Sequence, residues 1–127
     1  MDKATLVEQD IEEGERLVDL LVKSGEKVPV ALWLYNSDRG NWRLVLAVPQ
    51  MARSPQEGYY FLQNVLKDIR PPVHLTLQDI TLISPEAELT KNLLKERKSA
   101  RALKGQFLSS IRIGDAFLDG AYLYKVA

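Results

Sequence analysis

Hydrophobic and polar positions alternate with two different periods along the chain, and the changes of period divide it into helical and extended segments. From residue 4 to residue 24, apolar residues recur every three or four positions, which predicts a helix with one buried face. From Val30 to Pro49 the period falls to two, which predicts two strands joined by a turn. The helical period returns twice and further short apolar runs lie between and after the helices. These later segments predict helices from Pro55 to before Pro71 and at about 86–104, and strands at 80–84, 107–113 and 121–126.

This succession of elements predicts one α+β domain over residues 1–127, in the order α-β-β-α-β-α-β-β. The connection from the second strand to the third runs through a helix, which favours a right-handed parallel crossover. The two hairpins add antiparallel pairs, so the sheet is mixed, with about five strands and three helices packed on it. Residues 73–77 and 114–118 are compatible with either strand or loop.

The first hairpin raises the question of what covers its second face. A three-residue loop, Asp38-Arg39-Gly40, lets Gly40 take the left-handed conformation and places the aliphatic residues of both strands on one face. The opposite face then carries four residues that are the interface candidates: Trp33, Tyr35, Arg43 and Val45. If all three helices pack on the aliphatic face, this patch is exposed and predicts an interface. If one helix crosses over, the patch is buried, and a four-residue loop would shift the pairing by one residue.

Local signals add three smaller predictions. Ser54 is predicted to cap the second helix, with Glu57 completing a capping box. Gly14 lies in the middle of the first helical stripe, which indicates close approach of another backbone. The dipeptide Asp119-Gly120 predicts a hairpin turn.

The composition says more about the expected cellular location than about a chemical activity. The 127 residues are 46% hydrophobic and 27% charged, and they include no cysteine. Disulfides, thiolate catalysis and cysteine-bound zinc are therefore excluded, and a reducing cytoplasm is the expected location. No apolar run approaches the ~20 residues of a transmembrane helix, and the acidic N-terminus is unlike a signal peptide. We therefore expect no membrane partner.

The net charge is zero, but the charges are segregated. Residues 1–22 hold seven acids against two bases, a net charge of −5. Residues 91–104 hold six bases against one acid, a net charge of +5. On a helix the bases lie on one broad arc opposite the apolar stripe. These polyanion candidates are Lys91, Lys95, Arg97, Lys98, Arg101 and Lys104.

A basic helical face binds phosphates by releasing counterions, so nucleic acid or another polyanion is an alternative partner. This helix has no aromatic residues on which bases would stack, and the chain as a whole is neutral. Nucleic acid is not favoured, because the same face is also explained as the solvated side of a packed helix. The acidic first helix, from the same chain or a partner, would also compensate it.

Motifs for catalysis are scarce. His74 is the only histidine, and no glycine-rich strand-to-helix turn offers a phosphate-binding loop. Asp79, Asp115 and Asp119 lie near predicted strand ends. In a metal-dependent enzyme, they would converge there on a divalent cation. Each is also explained separately as a turn residue. No cofactor or metal site is therefore assigned.

These observations favour a small, non-enzymatic interaction module of the cytoplasm that associates with itself or with another protein. The alternatives are a polyanion-binding or nucleic-acid-associated accessory protein that uses the basic helix, and a metal-dependent enzyme with an acidic site.

Overall fold

The segments with helical and extended periods form helices and strands in a computed structural model, which describes residues 3–127. The helices are α1 (Glu8–Lys23), α2 (Pro49–Ala52), α3 (Pro55–Asp68), α4 (Glu88–Lys95) and α5 (Arg97–Ala102), with a single 3₁₀ turn at Leu77–Asp79. The strands are β1 (Val30–Asn36), β2 (Asn41–Ala47), β3 (Ile80–Ile83), β4 (Phe107–Ile113) and β5 (Ala116–Val126). Within residues 3–127, no helix combines the length and apolar character needed to cross a membrane.

The five strands form one mixed sheet in the order β3-β2-β1-β5-β4. The pair β2–β3 is parallel, as predicted for two strands connected through a helix, and the other three pairs are antiparallel. The predicted α+β class, element order and number of strands are therefore confirmed.

Helices cover both faces of the sheet. Leu17 and Leu21 of α1 and Leu62 of α3 are fully buried in a cluster with Trp33 and Leu44 of the sheet, on what we call the α1 face. The opposite side, the α4 face, has its own cluster. It joins the helical residues Leu93 and Ala100 to strand residues that include Leu32, Val45, Ala121 and Leu123. The central strands are thus a buried middle layer, which is why both faces of the first hairpin are apolar.

The predicted register of this hairpin is wrong by one residue. Asn36 pairs with Asn41, so the loop has four residues, 37–40. The Asn36 side-chain oxygen accepts hydrogen bonds from the backbone N–H groups of Asp38 and Arg39, at 2.9 and 3.2 Å. The backbone N–H of Gly40 donates to the Asn36 carbonyl at 2.8 Å, and Gly40 has the predicted left-handed conformation, with φ 68°. These bonds to Asn36 close the longer loop.

The shift of register removes the predicted exposed patch. Trp33 and Val45 now lie on opposite faces, and both are buried, with relative exposures of 0% and 4%. Arg43 lies opposite Leu34 rather than Tyr35 and donates hydrogen bonds to Thr81 Oγ1 and the Ile80 carbonyl. It therefore holds β3 against β2. The prediction that Trp33, Tyr35, Arg43 and Val45 share one face is wrong, because a one-residue slip exchanges the two faces.

The group that lies close to Gly14 is a side chain, not the predicted backbone. A Cβ atom at this position would lie 2.5 Å from the Tyr124 hydroxyl and 3.0 Å from the Trp33 indole nitrogen. That hydroxyl accepts a hydrogen bond from Trp33 Nε1 at 2.7 Å and donates to the carbonyl of Ile11. Burial raises the pKa of the Tyr124 hydroxyl, so it remains protonated and able to donate. The absence of a side chain at Gly14 thus lets α1 lie directly on this hydrogen-bonded pair.

The segment predicted as one helix at 86–104 forms two helices. The first, α4, begins at Glu88, and Glu96 separates it from the second, α5. Glu96 has φ −105° and ψ 38°, outside the helical range, and its side chain lies against Gly114. A Cβ atom at Gly114 would be 2.8 Å from the Cγ of Glu96. The helix is therefore interrupted where it meets the turn between β4 and β5.

The predicted turn at Asp119-Gly120 and the predicted capping box at Ser54 are both wrong. Asp119-Gly120 lies inside β5, and the hairpin turns at Gly114-Asp115 instead. Gly120 is needed because a Cβ atom there would lie 3.1 Å from both Tyr35 and Trp42. Helix α3 begins after Ser54 as predicted, with Pro55 at its first position, but the Ser54 side chain makes no cap hydrogen bond. Of the two undecided segments, 73–77 contains no strand and ends in the 3₁₀ turn, and 114–118 divides into the turn and the start of β5.

Candidate interaction surface

The helices leave one part of the sheet bare, the α1 face of β4. Phe107, at the start of this edge strand, is 59% exposed, and Ser109 is also exposed. Both residues pair with β5, where Phe107 lies opposite Tyr122 and Ser109 lies opposite Gly120. Phe107 is not an isolated exposed residue, because its ring packs against that of Tyr122, so this position marks a candidate contact surface.

Phe107 belongs to a row of aromatic side chains that we call the aromatic strip. Its members are Tyr35, Trp42, Phe107, Tyr122 and Tyr124. Ring centroids are 5.3 Å apart for Phe107 and Tyr122, and 5.6 Å apart for Tyr122 and Tyr124, both in edge-to-face orientation. Tyr35 and Trp42 form a tilted pair 5.4 Å apart. Such contacts hold each ring in place, so the strip is a preorganised apolar surface with polar hydroxyl tips.

The two parts of the strip meet in a shallow recess of about 370 Å³. Tyr35, Trp42 and Phe107 line it, together with the backbone of β5 at Gly120. The backbone N–H of Trp42 donates a 2.7 Å hydrogen bond to the Lys3 carbonyl, which fixes the start of the chain beside β2. The recess is thus built by three separated parts of the sequence.

The edge of β4 is a poor template for a further strand. Ser110 has φ 49°, in the left-handed region, and it forms no pair with the strand residue opposite it on β5. This irregularity interrupts the row of backbone donors and acceptors in the middle of β4. Contact through the face of the strand is therefore favoured over extension of the sheet.

At its other end the strip opens into a groove of about 380 Å³, which we call the split groove. Tyr124 lies in it, between one wall formed by α1 and another formed by the chain after α5. The α1 wall carries Glu15 and Asp19, with Lys23 at its end, and the other side carries Lys104 and Lys125. None of these five takes part in an ion pair within residues 3–127. The groove is therefore acidic on one side and basic on the other.

The acids of α1 fall into two groups. Two are buried and paired. Lys3 contacts Asp10 at 2.8 Å, and the backbone N–H of His74 donates to Glu13 at 2.8 Å. The imidazole of His74 lies 3.1 Å from the same carboxylate and is itself mostly exposed. The remaining acids of the helix are exposed: Glu8, Glu12, Glu15 and Asp19. Asp2, which contributes to the predicted acidic segment, lies outside the described residues.

The basic helices lie on the opposite face of the sheet from α1, so the two charged surfaces are largely separated. All six polyanion candidates are exposed: Lys91, Lys95, Arg97, Lys98, Arg101 and Lys104. Lys91 is 3.7 Å from Glu86, and the guanidinium of Arg101 donates to the Val126 carbonyl at 2.8 Å. Of the six, Lys104 lines the groove beside α1. Binding of a polyanion by this surface stays a prediction.

The three carboxylates considered for a metal are not brought together. Asp115 and Asp119 line a cleft of about 570 Å³ with Asp38 and Glu88. Asp79 is at the other edge of the sheet, where its carboxylate accepts the backbone N–H of Thr76 at 3.0 Å. Among residues 3–127, no cluster of three or more histidine, cysteine or acidic side chains has the geometry to hold a metal ion.

Only Tyr35 of the four interface candidates belongs to the aromatic strip. Phe107 and Tyr122 were not singled out from the sequence as a contact surface. A signal was present, because "AYLYKV" places two tyrosines at alternate positions of one strand and "QFLSSIRI" places a phenylalanine at the start of the other. Their adjacency depends on the pairing of β4 with β5, which the misplaced turn at Asp119-Gly120 obscured.

Comparison of the chain with protein-family models, with curated proteins and with solved structures returned no match. The assignment of function therefore depends on the geometry of the chain itself.

Proposed function

We propose that this chain is a small non-enzymatic interaction domain of the cytoplasm that self-associates, with the aromatic strip at the centre of the contact. The exposure of Phe107 on a sheet face without a covering helix is the observation that carries this proposal. Burial of aromatic rings dominates the energy of most protein interfaces, and such residues are enriched at interface centres.

The area that an interface requires extends the contact beyond the strip. An ordinary dimer buries about 800 Å² on each partner, roughly a tenth of the 7384 Å² surface of this chain. A fully buried aromatic side chain removes about 150–250 Å², and most rings of the strip are already half-buried. The flanks of the strip must therefore contribute, on the α1 side and on the β4 side.

A second copy is the occupant that these flanks favour. They carry opposite charges, so a copy turned around a two-fold axis would present acid to base on both sides of the strip. The irregular edge at Ser110 argues against open-ended addition of strands. A closed dimer satisfies both features.

Phe107→Ser tests the proposal. Loss of an aromatic anchor at an interface centre costs about 2 kcal/mol, and a two-fold dimer loses it from both copies, so the dimer Kd should rise at least about 30-fold. Sedimentation velocity over a concentration series measures this change. Phe117→Ser is the matched control, because Phe117 is 55% exposed on the same hairpin but is not one of the paired rings of the strip and lines the cleft of Asp115 and Asp119 instead.

The control variant should associate like the wild-type chain. Equal association of all three proteins would contradict the placement of the strip at the interface. Equal weakening by both substitutions would contradict it as well, because the effect would then follow general surface hydrophobicity.

A further inference from the structure

The split groove is lined by charged side chains of both signs. Its α1 wall carries Glu15 and Asp19, with Lys23 at the end of the helix, and the opposite side carries Lys104 and Lys125. Glu15, Asp19 and Lys104 are exposed, and Lys125 is half-buried on β5. None of these side chains forms an ion pair within residues 3–127, so all of them are free to contact a partner.

We propose that the split groove sets the register of a two-fold dimer, in which the acidic wall of each copy contacts the basic wall of the other. This inference rests on the proposed self-association and adds the residues that determine its geometry. An isologous interface repeats each contact twice, so a single acidic wall and a single basic wall suffice for two matching contacts.

The alternative occupants fit the groove less well. A uniformly basic partner would face Lys104 and Lys125, and a uniformly acidic partner would face Glu15 and Asp19. Each would meet one like-charged wall, which opposes binding. A second copy carries both signs of charge, so in a two-fold arrangement each wall meets opposite charge.

The groove is also continuous with the strip. Tyr124 lies in the groove, and its ring is in edge-to-face contact with Tyr122, which contacts Phe107. A two-fold contact here therefore has an apolar centre flanked by charged walls, the usual arrangement of a core and a polar rim. Val22, which is 39% exposed on the α1 wall, adds apolar surface between the two.

A charge exchange tests the inference. One variant reverses the acidic wall (Glu15→Lys with Asp19→Lys), and the other reverses the basic wall (Lys104→Glu with Lys125→Glu). Alone, each variant meets like charge at both contacts of its own dimer, so its Kd should rise roughly tenfold or more. Mixed one to one, the two variants present opposite charges at both contacts, so they should form a heterodimer with close to wild-type affinity.

Sedimentation velocity with one variant carrying a fluorescent label measures the homodimers and the heterodimer. Circular dichroism checks that each variant folds, and recovery in the mixture is itself evidence against misfolding. If both variants associate like the wild-type chain, the inference is overturned, and it is also overturned if each is weakened but the mixture does not recover. Neither result overturns the proposed self-association, which is tested separately by the weaker dimer expected for Phe107→Ser. A wild-type chain that remains monomeric overturns both proposals.

Discussion

Two single glycines make room for side chains that come from distant parts of the sequence. Gly14 gives the Tyr124 hydroxyl its place between α1 and Trp33, and Gly120 lets the Tyr35 and Trp42 rings pack on β5. In the sequence, Gly14 looks like a weak point in a helix and Gly120 looks like part of a turn. A glycine that is needed for a neighbouring side chain leaves no local signal, since the neighbour is distant in the chain.

Replacement of Gly14 by alanine should destabilise the fold although it favours the helix. The change adds about 1 kcal/mol of helix propensity, but the methyl group would overlap the Tyr124 hydroxyl and displace it from Trp33. Overpacking of this kind costs about 1–3 kcal/mol, and an unpaired buried donor costs a similar amount. We expect a net loss of about 2 kcal/mol in the free energy of unfolding, measured by urea denaturation.

Tyr124→Phe provides the control for this mechanism. It removes the hydroxyl, leaves Trp33 Nε1 without its acceptor, and should cost about 1–2 kcal/mol by itself. The double variant with Gly14→Ala should lose less stability than the sum of the two single changes, because the overlapping atom is gone. Additive losses would show that the alanine acts elsewhere in the helix.

At the scale of elements, side chains in loops decide which of several compatible arrangements forms. The alternation of apolar residues predicted β1 and β2 correctly, but it left the register to the loop. Asn36 closes a four-residue loop with its own side chain, and this exchange of faces changed the predicted interface. The prediction of the shorter loop considered only backbone conformation, and the hydrogen bonds of the Asn36 side chain are not visible in the apolar pattern.

Glu13 connects α1 to the extended segment that follows α3. Burial raises the pKa of its carboxyl group, but hydrogen bonds from the side chain and backbone of His74 and from Gln9 outweigh this effect, and the pKa is lowered overall. Because the folded pKa is below the ordinary value of 4.5, the ionised carboxylate stabilises the fold above that value. This contribution is lost as the pH falls through the lower, folded pKa.

Glu13→Gln should therefore destabilise the protein at neutral pH by about 1–3 kcal/mol, the range for a lost charged hydrogen-bond partner. The difference from the wild-type chain should shrink as the pH falls below 4.5. Thermal unfolding across this pH range measures both effects. Glu12→Gln, at an exposed position one residue earlier, is the control, and a pH-independent difference for Glu13→Gln would contradict the role of the charge.

At the scale of the whole molecule, the sheet places the acidic α1 and the basic α4 and α5 on opposite faces. The segregation of charge was visible in the sequence, because it lies in two continuous segments. The split groove was not, because Lys104 and Lys125 reach α1 only through the position of β5 in the sheet. Elements and their order thus follow from local periodicity, whereas surfaces depend on pairing between distant segments.

Sedimentation equilibrium of the wild-type chain at low ionic strength tests self-association most directly. The predicted result is a mass that rises with concentration from 14.4 kDa toward twice that value, with the dimer favoured at high micromolar concentration. Added salt should move the mass back toward that of the monomer, because it screens the charges of the split groove. A mass that stays at 14.4 kDa throughout the series would contradict the proposed function.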